Sequence, residues 1–222
     1  MKTQIYTMQS VDEALTVIAQ GVDHVGITPS DIGLPGEIDL STARAIVEAV
    51  GDSAVAVALS VESSLDAIIA MVHAVHPDIL HLCGLENTIL PEGVRELRER
   101  LPGLPIMQAI SISGPGALDS AQAYEGVADY LILDTQSPEI AGIGASGETH
   151  DWKISRKLVQ QVKIPVILAG GLSPENVAEA IHIVQPWGVD SLTHTNTLLP
   201  DGGFRKDLER VRRFVIAANV ES

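Results

Sequence analysis

The chain alternates between two spacings of apolar residues. Short, nearly continuous apolar runs predict strands that are covered on both faces. After each run, apolar residues recur at steps of three and four, as in STARAIVEAV (41–50) and ENVAEAIHIV (175–184), which predicts a helix. The predicted strands are TQIY (3–6), HVGI (24–27), AVAVAL (54–59), ILHL (79–82), PIMQAI (105–110), YLIL (130–133), VILA (166–169) and GVDSL (188–192).

Eight strand–helix units in a row predict an α/β fold, the TIM (β/α)8 barrel, as a single domain over residues 1–222. A doubly wound open sheet is the alternative. In a TIM barrel the functional residues lie where the strands end, at the carboxyl face. The candidates at these ends are Tyr6, Thr28, His81, Cys83, Gln108, Asp134, Gly170, Gly171, Thr193 and His194.

Composition narrows the class of partner. Of the 222 residues, 45% are hydrophobic, which excludes a disordered chain. The net charge of −15 disfavours nucleic acid and anionic membranes as partners. Cys83 is the single cysteine and cannot form an internal disulfide, as suits a reducing compartment. With no signal-peptide pattern in residues 1–15 and no membrane-spanning stretch, we expect a cytoplasmic protein.

The turn that follows predicted strand seven has the features of an anion site. Gly170 and Gly171 let backbone N–H groups approach a ligand closely, and a helix begins near Pro174. The loops after strands seven and eight of TIM barrels frequently bind phosphate. We therefore predict a phosphate site formed by Gly170 and Gly171 with Thr193 and His194, although the glycines alone are also compatible with a simple tight turn.

Longer segments resemble one enzyme family. VILAGGLSPENVAEAIHIVQPWGVD (166–190), GVADYLILDT (126–135) and GASGETHDW (144–152) are similar to phosphoribosylanthranilate isomerases of the tryptophan pathway. SVDEAL (10–15), PGLPIMQAI (102–110) and GGFRKDLERVRRFV (202–215) extend the resemblance along nearly the whole chain. The resemblance implies a TIM barrel, a phosphorylated sugar substrate and an Amadori rearrangement of an aminoaldose to an aminoketose.

The family's catalytic residues carry over only in part. The resemblance implies that Asp134 is the general acid, but it puts Tyr6 where the family has a cysteine as general base. The family's carboxylate-binding arginine lies in the loop after strand two, which here reads TPSDIGLPGEID (28–39) and has three acids and no basic residue. After strand eight, His194 in LTHTN stands where the family has a glycine.

The identity of the base stays open among Cys83, His81, Tyr6 and His194. His81 and Cys83 are two residues apart on one predicted strand, so their side chains share a face. Cys83 can be read as a thiolate base or as a buried apolar residue. His81, Cys83, Asp134 and His194 are also suitable types for a zinc site, but their spacing matches no known signature, and we expect neither a metal nor a cofactor.

Three hypotheses follow for the function. The first is an isomerase acting on a phosphorylated sugar, with Gln108 also contacting substrate. The second is a related sugar-phosphate epimerase or metal-assisted lyase, and the third is a phosphate-ligand-binding barrel without catalysis. In each hypothesis the expected partner is a phosphorylated small molecule. The glycine-rich loop at 142–147 is expected to close over this ligand. The sequence leaves open whether the protein forms a homodimer.

Overall fold

The computed structural model describes residues 1–112, 114, 116–135, 143 and 149–220. Each predicted strand is present, and a hairpin follows the last of them. The strands are β1 (Lys2–Ile5), β2 (His24–Ile27), β3 (Val55–Ser60), β4 (Ile79–Leu82), β5 (Ile106–Ser111), β6 (Tyr130–Asp134), β7 (Val166–Leu168), β8 (Gly188–Ser191), β9 (Asn196–Leu198) and β10 (Phe204–Lys206).

The helices follow the strands as the apolar spacing predicts. Several begin at capping residues, among them Ser10, Ser64 and Asp207, whose side chains accept a backbone N–H of the first turn. No helix within the described part of the chain is long and apolar enough to cross a membrane. The helices are α1 (Val11–Ile18), α2 (Leu40–Val50), α3 (Leu65–Val75), α4 (Pro91–Arg100), α5 (Ala117–Glu125), α6 (Trp152–Gln161), α7 (Val177–Val184) and α8 (Leu208–Asn219).

Strands β1 to β8 form a closed parallel barrel in sequence order. The barrel closes where β1 pairs with β8, in a register that sets Lys2 opposite Gly188 and Ile5 opposite Ser191. This closure confirms the TIM barrel and excludes the open sheet. All eight carboxyl ends therefore meet at one face, which is where the candidate residues lie.

Buried apolar side chains form two clusters. The larger one lies between the strands and the helices and contains the fully buried Phe214 of α8. The smaller one fills the barrel interior, where Ile79, Met107, Ile132 and Ile167 pack under the carboxyl face. Residues of one strand alternate between the two clusters, so that Met107 faces inward and Ile106 faces the helices.

The antiparallel hairpin of β9 and β10 was not predicted from the sequence. It packs against the loop between β1 and α1, where the Gln9 side chain donates to the Phe204 carbonyl oxygen over 2.8 Å. The buried Lys206 ammonium donates to the Tyr6 carbonyl oxygen and to Asn196 Oδ1. The hairpin thus supports the end of β1 from outside the barrel.

Candidate functional site

Two adjoining cavities open at the carboxyl face of the barrel. The barrel-mouth pocket has an empty volume of about 560 Å³ and the glycine pocket one of about 280 Å³, both continuous with solvent. They share Asp134, Asp190 and Leu192. The barrel-mouth pocket is lined by Tyr6, Thr7, Thr28, Leu34, Pro35, Leu59, Val61, His81, Cys83, Ile132, Asp134, Ile143, Asp190 and Leu192. The glycine pocket is lined by Asp134, Gly170, Gly171, Leu172, Asp190, Ser191, Leu192, Thr193 and His194.

The predicted phosphate residues come together in the glycine pocket. Gly170 and Gly171 have φ angles of 83° and 62°, a region that favours glycine. A Cβ on Gly170 would lie 2.8 Å from His150 Nδ1 and 2.9 Å from Thr135 Oγ1, so a side chain does not fit there. Thr193 and His194 line the same pocket from a 3₁₀ turn after β8.

Asp134 ends β6 at the boundary between the two pockets. Its Oδ1 atom accepts the Thr135 backbone N–H over 2.7 Å, which fixes the carboxyl group. Burial raises the pKa of Asp134 well above its ordinary range, and the bond from Thr135 lowers it by less. A carboxyl group with such a pKa can give up and recover a proton near neutral pH.

Asp190 of β8 is a second carboxyl group at the same place, and sequence reasoning missed it. Its side chain lines both pockets and is only 6% exposed, and its Oδ1 atom is buried without a hydrogen-bond partner. Burial raises the pKa of Asp190 and the charge of Asp134 raises it further, while the Gln4 side chain on the paired strand β1 and the charge of Lys206 lower it by less. The available signal was an acidic residue inside an apolar strand run, GVDSL.

Tyr6 and His81 form a buried pair in the barrel-mouth pocket. The Tyr6 hydroxyl oxygen lies 2.9 Å from His81 Nδ1, and His81 Nε2 is buried without a partner. Burial raises the pKa of the Tyr6 phenol well above its ordinary value and lowers the pKa of His81 to about 3. Tyr6 is therefore a neutral phenol and His81 a neutral imidazole at neutral pH.

Cys83 is present in the barrel-mouth pocket, but its surroundings disfavour a thiolate. The Sγ atom donates to the Ile143 carbonyl oxygen over 2.8 Å, and the side chain is 5% exposed. Burial and the nearby charge of Asp134 raise the pKa of the thiol. The proposed thiolate base conflicts with this environment because an apolar, acidic neighbourhood favours the protonated form.

Gln108 lies apart from both pockets. Its side chain lines a neighbouring cavity of mixed polar and apolar character between the ends of β3 to β5 and the loop before α4, together with Ser60, Glu62 and Tyr124. Within the described ranges, no three His, Cys, Asp or Glu side chains are placed to hold a metal ion together. The predicted loop at 142–147 falls outside the described residues except for Ile143, which lines the barrel-mouth pocket.

The fold and the site define a TIM-barrel protein with two buried carboxyl groups beside a glycine turn. The sequence model of the N-(5'-phosphoribosyl)anthranilate (PRA) isomerase family matches residues 3–215. The chain belongs to this family of isomerases, which confirms the resemblance seen in the sequence.

Individual relatives support the assignment. The chain is 33% identical over 204 residues to the N-(5'-phosphoribosyl)anthranilate isomerase of Methanocella arvoryzae, covering 92% of this chain and 91% of the relative. It is 36% identical over 204 residues to that of Haloferax volcanii, covering 91% and 86%. The solved structure of the Thermus thermophilus isomerase has the same fold, with a TM-score of 0.82, 24% identity and coverage of 100% of both chains.

Proposed function

We propose that this protein is an isomerase that converts an aminoaldose 5-phosphate into the corresponding aminoketose by an Amadori rearrangement. The relatives that are 33% and 36% identical to this chain are named as isomerases of N-(5'-phosphoribosyl)anthranilate. The observation that carries the proposal is the position of Asp134, whose raised pKa suits proton transfer, next to the glycine turn.

The substrate phosphate binds in the glycine pocket. The backbone at Gly170 and Gly171 and the 3₁₀ turn at Thr193 and His194 surround a space that can hold a phosphate group. Neither Lys nor Arg is among the described residues that line this pocket, so backbone groups and polar side chains such as Thr193 and His194 provide the binding. The two buried carboxyl groups tolerate an anion there because their raised pKa values keep at least one proton on the pair.

Asp134 is the proton donor. Ring opening of an aminoaldose requires a proton on the ring oxygen while the C1–O bond breaks and the nitrogen lone pair forms a C=N bond. The protonated Asp134 carboxyl, between the phosphate pocket and the barrel mouth, can supply that proton.

The group carried by the amine lies in the barrel-mouth pocket, where Leu34, Pro35, Leu59 and Val61 provide an apolar wall. No described residue of this wall is basic. The loop after β2, which supplies Leu34 and Pro35, also carries the acidic residues Asp31, Glu37 and Asp39. A carboxylate on this group would not be anchored. We therefore expect phosphoribosylanthranilate to be turned over weakly and the natural substrate to lack that carboxylate.

The experiment follows the turnover of phosphoribosylanthranilate by loss of its fluorescence, at high protein concentration and over long times. We expect slow turnover by the wild type that Asp134→Asn reduces by about 10²–10⁴-fold. Gly171→Asp places a charge in the phosphate pocket and should abolish binding of inorganic phosphate. Gly103→Asp is the matched control, because Gly103 also has a positive φ of 86° but no atom within 4 Å of the position that a Cβ would take.

The outcome can contradict the proposal in two ways. Turnover that is unchanged in Asp134→Asn would remove this residue as the proton donor. Phosphate binding that survives in Gly171→Asp would place the phosphate elsewhere.

We also infer that the protein acts in the cytoplasm and forms a homodimer. A reducing compartment fits the single cysteine. The isomerase of Thermotoga maritima is described as dimeric. Sedimentation velocity at several concentrations tests the dimer, and a monomer at all of them would contradict it.

A further inference from the structure

The loop after β2 is closed at its base by backbone hydrogen bonds. The Ser30 N–H donates to the Ile38 carbonyl oxygen over 3.2 Å, and the Ile38 N–H donates to the Thr28 carbonyl oxygen over 3.0 Å. Between these residues, Leu34 and Pro35 line the barrel-mouth pocket. The loop thus brings an apolar wall to the place proposed for the group on the substrate nitrogen.

The Glu37 carboxylate holds this loop from within. Its Oε2 atom accepts the backbone N–H groups of Ile32, Gly33 and Leu34, each over 3.0 Å, and its Oε1 atom accepts that of Gly33 over 2.9 Å. Hydrogen bonds to a carboxylate are roughly twice as strong as those between neutral groups. One side chain therefore fixes the backbone that leads into the apolar wall.

Gly36 lets the other end of the wall pack closely. It has a φ of 67°, and a Cβ there would clash with Thr7 Oγ1 and lie 2.7 Å from Phe204 Cζ. Gly33 in the same loop also has a positive φ, of 90°, but none of the described atoms lies within 4 Å of the position that a Cβ would take. Packing therefore requires glycine at position 36, whereas at position 33 only the backbone conformation favours it.

A wall that is ordered before the substrate arrives strengthens binding. Ordering a loop on binding costs free energy, so a loop that is already fixed retains more of the gain from burying apolar surface. Glu37 is not among the described residues that line the barrel-mouth pocket, so its effect reaches the substrate only through Leu34 and Pro35. Loss of its carboxylate would leave three backbone donors without their acceptor and would release this wall.

We propose that Glu37 is a positioning residue for substrate selection, which holds Leu34 and Pro35 in place so that the barrel mouth accepts an uncharged, apolar group on the substrate nitrogen. This role rests on the proposed function. Glu37 acts on the binding of that group and not on proton transfer by Asp134. Its loss should therefore raise KM and leave kcat nearly unchanged.

The test uses N-phenylribosylamine 5-phosphate, which forms from aniline and ribose 5-phosphate and has no carboxylate on its ring. Chromatographic separation of the aminoaldose from the aminoketose gives kcat and KM. We expect Glu37→Ala to raise KM about tenfold and to change kcat by less than about twofold. Glu37→Gln removes the charge but keeps one acceptor oxygen, so it should recover part of the loss. Glu99→Gln, which changes an exposed residue near the end of α4, is the control and should match the wild type.

Two further measurements examine the loop itself. Gly36→Ala should raise KM as Glu37→Ala does, whereas Gly33→Ala, with comparable backbone strain but no clash, should raise it less. Hydrogen–deuterium exchange of the backbone N–H groups of residues 32–34, measured without substrate, should be faster in Glu37→Ala than in the wild type. Unchanged exchange in the barrel strands shows that the variant is folded.

Each result separates the role of Glu37 from the proposed function. Faster exchange at residues 32–34 with an unchanged KM overturns the role in substrate selection, and unchanged exchange overturns the hold on the loop. A fall in kcat at constant KM would place the effect of Glu37 on the chemical step and contradict a positioning role. A wild type that converts neither the phenyl compound nor phosphoribosylanthranilate overturns the proposed function and the selection role with it, while amide exchange still reports whether Glu37 holds the loop.

Discussion

Asp134 makes the stability of the protein depend on pH in a defined direction. Burial raises its pKa from 3.8 to about 7, so the folded protein holds a proton that the unfolded chain releases at lower pH. Between about pH 4 and pH 7 the Asp134 carboxyl therefore binds more protons in the folded state than in the unfolded chain, and its own contribution to the free energy of unfolding falls as pH rises. The side chains of His24, His81 and His150, whose pKa values are lowered by burial, contribute in the opposite direction. Each pKa unit of difference corresponds to about 1.4 kcal/mol.

We expect Asp134→Asn to remove this contribution to the pH dependence of the free energy of unfolding. The variant should therefore be more stable than the wild type at pH 8. Urea denaturation from pH 4 to pH 8 measures the effect. Asp52→Asn, which changes an exposed residue after α2, serves as the control and should reproduce the wild-type curve. The same dependence of the free energy of unfolding on pH in the wild type and in Asp134→Asn would show that the pKa of Asp134 is not raised in the folded protein.

The sequence predicted Asp134 because an acidic residue follows an apolar strand in a motif of a known family. Asp190 escaped notice because an acid in a short run such as GVDSL gives no sign of which way it points. Its place beside Asp134 is visible only once the barrel closes and both side chains line the same two pockets. The protonation of Tyr6 and Cys83 could not be predicted either, since it is set by neighbours distant in the sequence.

At the scale of elements, Glu13 connects the start of α1 to the hairpin. One carboxylate oxygen accepts the Gln9 N–H over 2.8 Å, and the other accepts the Lys206 N–H over 2.9 Å. We expect Glu13→Ala to lower the free energy of unfolding by about 1–3 kcal/mol, because two partly buried donors lose their acceptor. Glu13→Gln, which keeps one acceptor oxygen, should lose less.

Urea denaturation measures these differences. The control is Glu48→Ala, since Glu48 lies exposed on α2 in a surface ion pair with Arg44 and should change stability by less than about 0.5 kcal/mol. Equal losses in Glu13→Ala and Glu48→Ala would mean that the hairpin does not depend on this link.

Element prediction succeeded where the apolar pattern was long and failed where it was short. The eight strands and the helices after them repeat a regular spacing that the barrel requires. The hairpin strands have three residues each and include polar Asn196, Thr197 and Arg205, so they carry no period-two signal. They are held by contacts with Gln9 and Glu13, which lie near the opposite end of the chain.

The net negative charge of the whole molecule repels the phosphate group that we propose as its ligand. The net charge is −15, and neither Lys nor Arg is among the described residues of the glycine pocket. Long-range repulsion of a phosphate should therefore outweigh attraction by local ion pairs. We expect inorganic phosphate to bind more tightly as KCl rises from about 0.01 M to about 0.1 M, which shortens the Debye length from about 30 Å to about 10 Å.

Isothermal titration at each salt concentration measures this trend, with neutral ribose as the control that should show no dependence on salt. Binding of phosphate that weakens as salt increases would indicate that a basic side chain takes part in the site.

The contact between Tyr6 and Gly26 makes the residues at positions 6 and 26 dependent on each other. A Cβ at position 26 would lie 2.1 Å from Tyr6 Cδ1, so the phenol ring occupies space that only glycine leaves free. Replacing Tyr6 by the cysteine typical of the family would empty that space and remove the oxygen next to His81 Nδ1. An engineered Tyr6→Cys enzyme would therefore need a compensating substitution such as Gly26→Ala, whose methyl group would take part of the space that the ring leaves.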